Sequence, residues 1–212
     1  MRLGGGRARE RQRVYRLCSL LLCYPDEDLL AARGELAEAA AGETAPPVAR
    51  ALAQLFEWWA VTEPLVLQQH YVETFDLDKR CGLYLSFYGE GERRERGLAL
   101  LRLKRMYRAA GLPLEGSELP DYLPVMLEFA GSAPSGRGEI VLREHRPALE
   151  LLRESLHRRE TPYAHVLDAV CLTLGSPSAA DRARALAMAA AEPPTELVGL
   201  DSPPGLTVEA GT

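Results

Sequence analysis

The sequence has no C-x-x-C pair, no glycine-rich phosphate loop, no paired strand pattern and no internal repeat. Nor does any apolar run approach the ~20 residues needed to cross a bilayer. Each absence removes a class of function. Cys18, Cys23, Cys81 and Cys171 are scattered, and His70, His145, His157 and His165 do not stand at metal-ligand spacing from them, which argues against a zinc site. Each cysteine lies in a run with helical pattern, so the four thiols read as reduced, small, buried hydrophobes of a cytosolic protein. Lysine is scarce, with only Lys79 and Lys104 among 25 basic residues, and no function class follows from that. A net charge of -5 argues against a general nucleic-acid binder and for neutral or basic partners.

What is present is enough for a real core. A chain of 212 residues with 47% hydrophobic and 26% charged residues reads as one compact domain over 1–191. A proline-rich tail over 192–212, without periodicity, is expected to be disordered. The start, "RARERQRVYRLCSLLLCYP", puts basic residues ahead of apolar ones as a signal peptide does. Arg16 interrupts the apolar run, however, and Val14, Leu17, Cys18 and Leu21 share one helical face. The expectation is an amphipathic first helix and a cytoplasmic protein.

Helical periodicity continues almost throughout. A second helix is expected to about Ala41. Val48, Leu52, Leu55, Phe56 and Trp59 mark a third, and Leu67, Tyr71, Thr74 and Phe75 the face of a fourth that starts near Thr62 and Pro64. "LYLSFYGEG" fits strand or helix, and its neighbours favour helix. In "ERRERGLALLRLKRMYRAAG" the residues Ala99, Leu103, Met106, Tyr107 and Ala110 line one side, with Gly111 as the stop. After a loop, "ELPDYLPVMLEFA" reads as a helix capped by Asp121 with Pro124 in its first turn, followed by a loop over 131–138. Helices over 139–158, 161–174 and 178–191 complete an all-α, single-domain bundle of about nine helices.

Two stretches combine apolar anchors with carboxylates: "YVETFDL", where Tyr71 and Phe75 fall at i, i+4 beside Glu73 and Asp76, and "ELPDY" with Glu118 and Asp121. Aromatic pairs at this spacing also build cores, and acids at a helix start also serve only as caps. The other reading is a groove for a basic amphipathic helix. No nucleophile, phosphate cradle or metal ligand accompanies the carboxylates in sequence, which speaks against an enzyme. The arginine run Arg93, Arg94, Arg96, Arg102, Arg105 and Arg108 could contact phosphates as a helical nucleic-acid-binding regulator would, but interleaved Glu92 and Glu95 suit a solvated face.

"YVETFDLDKRCGLYLSFYGEG", the arginine-rich helix after it and "ELPDYLPVMLEFA" together resemble the nitrate reductase assembly chaperones of the NarJ type, within the wider redox-enzyme maturation family that includes TorD and DmsD. "LLLCYPDEDLL" is similar to that family's first helix junction. The resemblance is dense from about Leu20 to Ala130 and thin afterward. It implies an all-helical cytoplasmic chaperone, not an enzyme, that binds the leader-like N-terminus of the nitrate reductase catalytic (alpha) subunit. It implies no permanently bound cofactor: the client receives the molybdenum cofactor and an iron–sulfur cluster, and proteins of molybdenum cofactor biosynthesis would be further partners. Neither nucleic acid binding nor membrane insertion is implied, and a related molybdoenzyme is the alternative client. The residues matching the family's leader-binding motifs are Tyr71, Phe75 and Asp76, then Glu118, Pro120, Asp121 and Tyr122. Tyr122 stands where the family usually has histidine, and tyrosine cannot become cationic near neutral pH, so no proton-linked role carries over. "GERRERG" likewise replaces the more usual "GDTRxRG", with Glu92 keeping the acid.

Overall fold

The computed structural model describes residues 3–89, 93–134 and 137–190; the expected tail at 192–212 lies outside them. The chain runs through α1 (Leu3–Leu21), α2 (Glu27–Ala31), α3 (Arg33–Glu43), α4 (Pro46–Val61) and α5 (Pro64–Tyr71), a π-helical turn (Val72–Asp76) and a 3-10 turn (Leu85–Tyr88). It then continues through α6 (Arg93–Ala109), α7 (Leu123–Ser132), α8 (Glu139–Glu144), α9 (Arg146–Arg158), α10 (Ala164–Leu174) and α11 (Ala179–Ala190). The fold is all-α, with eleven α-helices among the described residues rather than about nine. Two of the additional divisions have plain causes. Asp26 caps α2 by accepting from the Leu29 N–H at 2.8 Å, and the chain restarts after Ala32. Pro147, which has no N–H to donate, confines the long helix expected at 139–158 to two pieces that meet at His145.

The expected faces of α1 and α4 are the core. Val14, Leu17, Cys18 and Leu21 are buried, as are Val48, Leu52, Leu55 and Trp59. α1 packs mainly along α7 and also against α10 and α3, while α10 lies between α4 and α9. α11 rests on α9 and buries none of its own residues.

The α1–α7 contact explains a misread boundary. Gly131, expected to open a loop, lies inside α7 because α1 passes over it: a Cβ there would collide with the Arg16 side chain and stand 2.8 Å from the Gln12 carbonyl oxygen. Ser19 Oγ donates to the Pro124 carbonyl at 2.7 Å, and Gln12 Nε2 donates to the Ala133 carbonyl at 3.0 Å, so α7 is tied to α1 at both ends. Within "LYLSFYGEG" the residues Leu85–Tyr88 form a 3-10 turn after a short extended stretch rather than the expected helix, because Tyr84 takes a β conformation and pairs antiparallel with Tyr122; Glu90 and Gly91 lie outside the described residues.

A Gly131→Ala substitution is expected to lower stability by about 1–3 kcal/mol, since the contact is with helix backbone that has no room to shift. The urea midpoint should fall with the slope unchanged.

Candidate functional site: an acidic rim around Tyr122

α1 ends where α7 begins, and the two matched stretches meet there. Tyr71, at the end of α5, is buried with its ring edge-on to Tyr24 at 5.6 Å and against Phe75 at 4.8 Å. Phe75 packs in turn on Tyr163 at 5.0 Å. The Tyr71 hydroxyl donates to the Leu22 carbonyl at 2.9 Å. Its single proton is thereby used, so Tyr122, 3.2 Å away, is the donor in the Tyr71–Tyr122 hydrogen bond. Tyr122 is half-buried, and its ring lies 5.2 Å from that of Tyr84. The Tyr84 hydroxyl donates to Glu118 at 3.0 Å.

The π-helical turn shapes the other side of the site. The Leu77 N–H reaches back to the Val72 carbonyl, and one residue more per turn lets Thr74 and Phe75 face the core while Asp76 and Leu77 face solvent. Leu77 is 72% exposed, Leu65 64% and Tyr24 44%. With Gln68, Gln69, Val72 and Glu73 these three line a shallow groove of about 420 Å³.

Carboxylates stand at this apolar ground and beside Tyr122: Glu73 lines the groove, and Asp76 and Glu118 act on the Tyr122 hydroxyl. Glu73, Asp76 and Glu118 are exposed. Burial is the main reason that the Tyr122 hydroxyl holds its proton more tightly than usual, and the charges of Glu118 and Asp76, with Cys23, act in the same direction. Burial likewise raises the Cys23 thiol, helped by Glu128 and Asp26. The negative rim therefore spans both matched stretches and the end of α1.

The expected site residues divide by environment. Asp76 and Glu118 stand in solvent and Tyr122 half in it, whereas Tyr71, Phe75 and Pro120 belong to the core, with the Pro120 carbonyl accepting from Tyr107 Oη at 2.6 Å. Asp121 does not cap α7: the N-cap position is Tyr122, with no side-chain cap bond. The carboxylate of Asp121 is wholly buried and turns instead to Ser86 and Arg96, so it does not face a basic partner at the groove. Sequence reasoning missed Tyr24, Leu77 and Tyr84. Two signals were available: Leu77 follows two carboxylates at the end of an amphipathic run, and Tyr84 alternates with Leu83 and Leu85 in strand fashion.

Nucleophile chemistry finds no support in the thiols. Burial, with a smaller push from Asp78, raises Cys81 to about 11, and burial, with Glu150, raises Cys171 to about 12. Cys23 and Cys81 lie in turns rather than in the helices expected for them. No three metal-ligating side chains converge among the described residues, and no helix among them is long and apolar enough to cross a membrane.

Residues 41–169, which include both stretches, match the nitrate reductase delta subunit family. The chain belongs to that family. Among its relatives, NarJ of Bacillus subtilis, named as a nitrate reductase molybdenum cofactor assembly chaperone, is 36% identical over 166 residues, covering 78% of this chain and 90% of its own. NarJ of Escherichia coli K12, similarly named, is 36% identical over 154 residues, covering 72% and 65%. The nitrate reductase-like protein NarX of Mycobacterium tuberculosis is 34% identical over 160 residues, which amount to 24% of its length. A crystal structure described as a redox enzyme maturation protein from Archaeoglobus fulgidus superposes with a TM-score of 0.57 at 26% identity, covering 75% of this chain and 90% of that one. The nitrate reductase delta subunit family thus accounts for the all-α fold, and its NarJ members are named as assembly chaperones rather than enzymes.

The tyrosines predict a pH dependence of stability. Tyr84 is pushed up to about 12 by burial and by its bond to Glu118, and burial takes Tyr71 further still. The folded protein therefore holds protons that the unfolded chain releases above about pH 10. The stability they contribute is complete below that pH and is lost as pH rises through the folded values. Urea midpoints measured from pH 9 to pH 12 should fall monotonically, and the Tyr84→Phe variant should fall less steeply.

Proposed function

We propose that this protein is a chaperone for molybdenum cofactor assembly in a nitrate reductase, and that it binds the leader-like N-terminal segment of the catalytic subunit along the groove beside Tyr122. The observation that carries this reading is the meeting of two sequence-distant stretches at the Tyr71–Tyr122 hydrogen bond, with the exposed apolar groove of Tyr24, Leu65 and Leu77 on the Tyr71 side and the charges of Asp76 and Glu118 acting on Tyr122. The names of the NarJ relatives support the client class.

An amphipathic leader helix lays its apolar side over Tyr24, Leu65 and Leu77. Each anchor it buries contributes about 1.5–3 kcal/mol before the cost of ordering the peptide. Its basic residues face Glu73, Asp76 and Glu118, which act mainly on encounter rate and partner choice. Tyr71 and Phe75 act from beneath, as the packed floor that holds Tyr24 and Tyr122 in place. The affinity expected of a carrier that must let go is submicromolar to micromolar, about -8 kcal/mol. The protein works in the cytoplasm and holds no cofactor of its own. Its bound client stays open for insertion of the molybdenum cofactor and an iron–sulfur cluster, and the complex is a natural meeting point for proteins of molybdenum cofactor biosynthesis.

Calorimetric titration with a synthetic peptide of the reductase N-terminus, at low and moderate salt, tests this. The informative variants are exposed ones, because Tyr71→Ala or Phe75→Ala would open the core. Leu77→Glu should weaken binding roughly tenfold, and Asp76→Asn with Glu118→Gln should weaken it a few-fold and flatten its salt dependence. Unchanged affinity in both variants, or equal binding of a scrambled peptide, would remove the groove from the leader's path.

A further inference from the structure

The buried carboxylate of Asp121 has no part in the contacts just described, yet it stands next to Tyr122 and three residues from Glu118. Its Oδ2 accepts from Ser86 Oγ at 2.5 Å and from the Ser86 N–H at 3.3 Å, and the Arg96 guanidinium lies 3.7 Å away. Arg96 Nε also donates to Ser86 Oγ at 3.3 Å. The serine hydroxyl thus receives from the arginine and gives its own proton to the aspartate. Oδ1 has no hydrogen-bond partner among the described residues. A carboxylate shut away from water with so few donors depends heavily on the guanidinium of Arg96 beside it.

Around this cluster runs a very short backbone pairing. The Leu85 N–H donates to the Asp121 carbonyl at 3.0 Å, and the Leu123 N–H donates to the Leu83 carbonyl at 2.8 Å, on either side of the Tyr84–Tyr122 bridge. Two backbone bonds, without a turn to close them or a third strand beside them, do not hold a register alone. A slip of one residue in either segment would turn that segment's side chains to the other face and part Tyr84 from Tyr122. Arg96 comes from the first turns of α6 and also lies over the Phe87 ring at 6.0 Å, so the cluster ties α6 to both paired segments.

We infer that Ser86, Arg96 and Asp121 form a positioning cluster that fixes residues 83–86 against 121–123. In doing so it sets Tyr84, Glu118 and Tyr122 opposite Asp76 without touching the leader. Its effect on affinity rests on the leader reading above, whereas its effect on the paired segments does not. Asp121 is a positioning residue, and so are Ser86 and Arg96, which are not among the residues matched to the family's leader-binding motifs.

The test uses the full chain with Arg96→Gln, Arg96→Lys, Asp121→Asn and the Arg96→Gln, Asp121→Asn double variant, read by amide hydrogen exchange and by leader-peptide titration. In Arg96→Gln, exchange across 83–86 and 119–123 should quicken by about tenfold or more while α1 and α10 keep their protection. Leader affinity should fall roughly tenfold with helix content unchanged. Arg96→Lys, which keeps the charge, should recover affinity to within about threefold of the parent, and the double variant should lose no more than the worse single one, as members of a single unit do. A purely structural role would lower the melting temperature and leave the affinity of the folded protein untouched. Unaltered exchange in 83–86 and 119–123, unaltered affinity once those segments loosen, or additive losses would each overturn the proposal. Failure of the parent protein to bind the peptide would sink the leader reading, and the exchange result alone would then decide whether the cluster holds the paired segments.

Discussion

The close passage of α1 over α7 is the constraint on which the remaining geometry depends. Gly131 allows the two helix backbones to approach, and the bonds from Ser19 and Gln12 fix their relative height. Once that height is set, the end of α1 and the start of α7 have no choice but to meet. Leu22 then offers its carbonyl to Tyr71, and Tyr71 offers its oxygen to Tyr122. The candidate site is thus a by-product of how two core helices are aligned, and it is assembled from their ends rather than from their faces.

Periodicity served well wherever a helix presents one apolar stripe to the core. The stripes of α1 and α4, and the Leu103 and Tyr107 side of α6 stopped by Gly111 at φ +79, are where spacing and a terminal glycine placed them. It served poorly where a residue answers to a distant partner. Gly131 reads as a loop residue because glycine destabilises helices, and only the presence of α1 reverses that. Asp121 reads as a cap because aspartate before an apolar run usually is one, yet Ser86 lies 35 positions earlier and takes the side chain away from the helix end.

The same limit explains the mixed reading of the candidate site. Both stretches were legible as carboxylates among aromatics, and the structure joins them through Tyr122. Which aromatics would be wet was not legible. Tyr71 and Phe75 share the α5 face with Leu67 and so go inward, while the π-helical turn that sends Leu77 outward leaves no mark in a pattern counted at 3.6 residues per turn. Tyr24 was hidden for another reason, since it follows α1 in a turn where no periodicity exists to be counted.

Because the rim is built at helix ends and in turns, the side chains that would meet a partner carry little of the folding energy. Leu65, Leu77, Asp76 and Glu118 are all solvated, and exchanges at such positions usually alter stability by less than about 0.5 kcal/mol. The core beneath has no such latitude. A chain arranged in this way can drift toward a new client by changing its outermost layer while its scaffold stands still, so divergence in partner choice need not wait for compensating change in the fold.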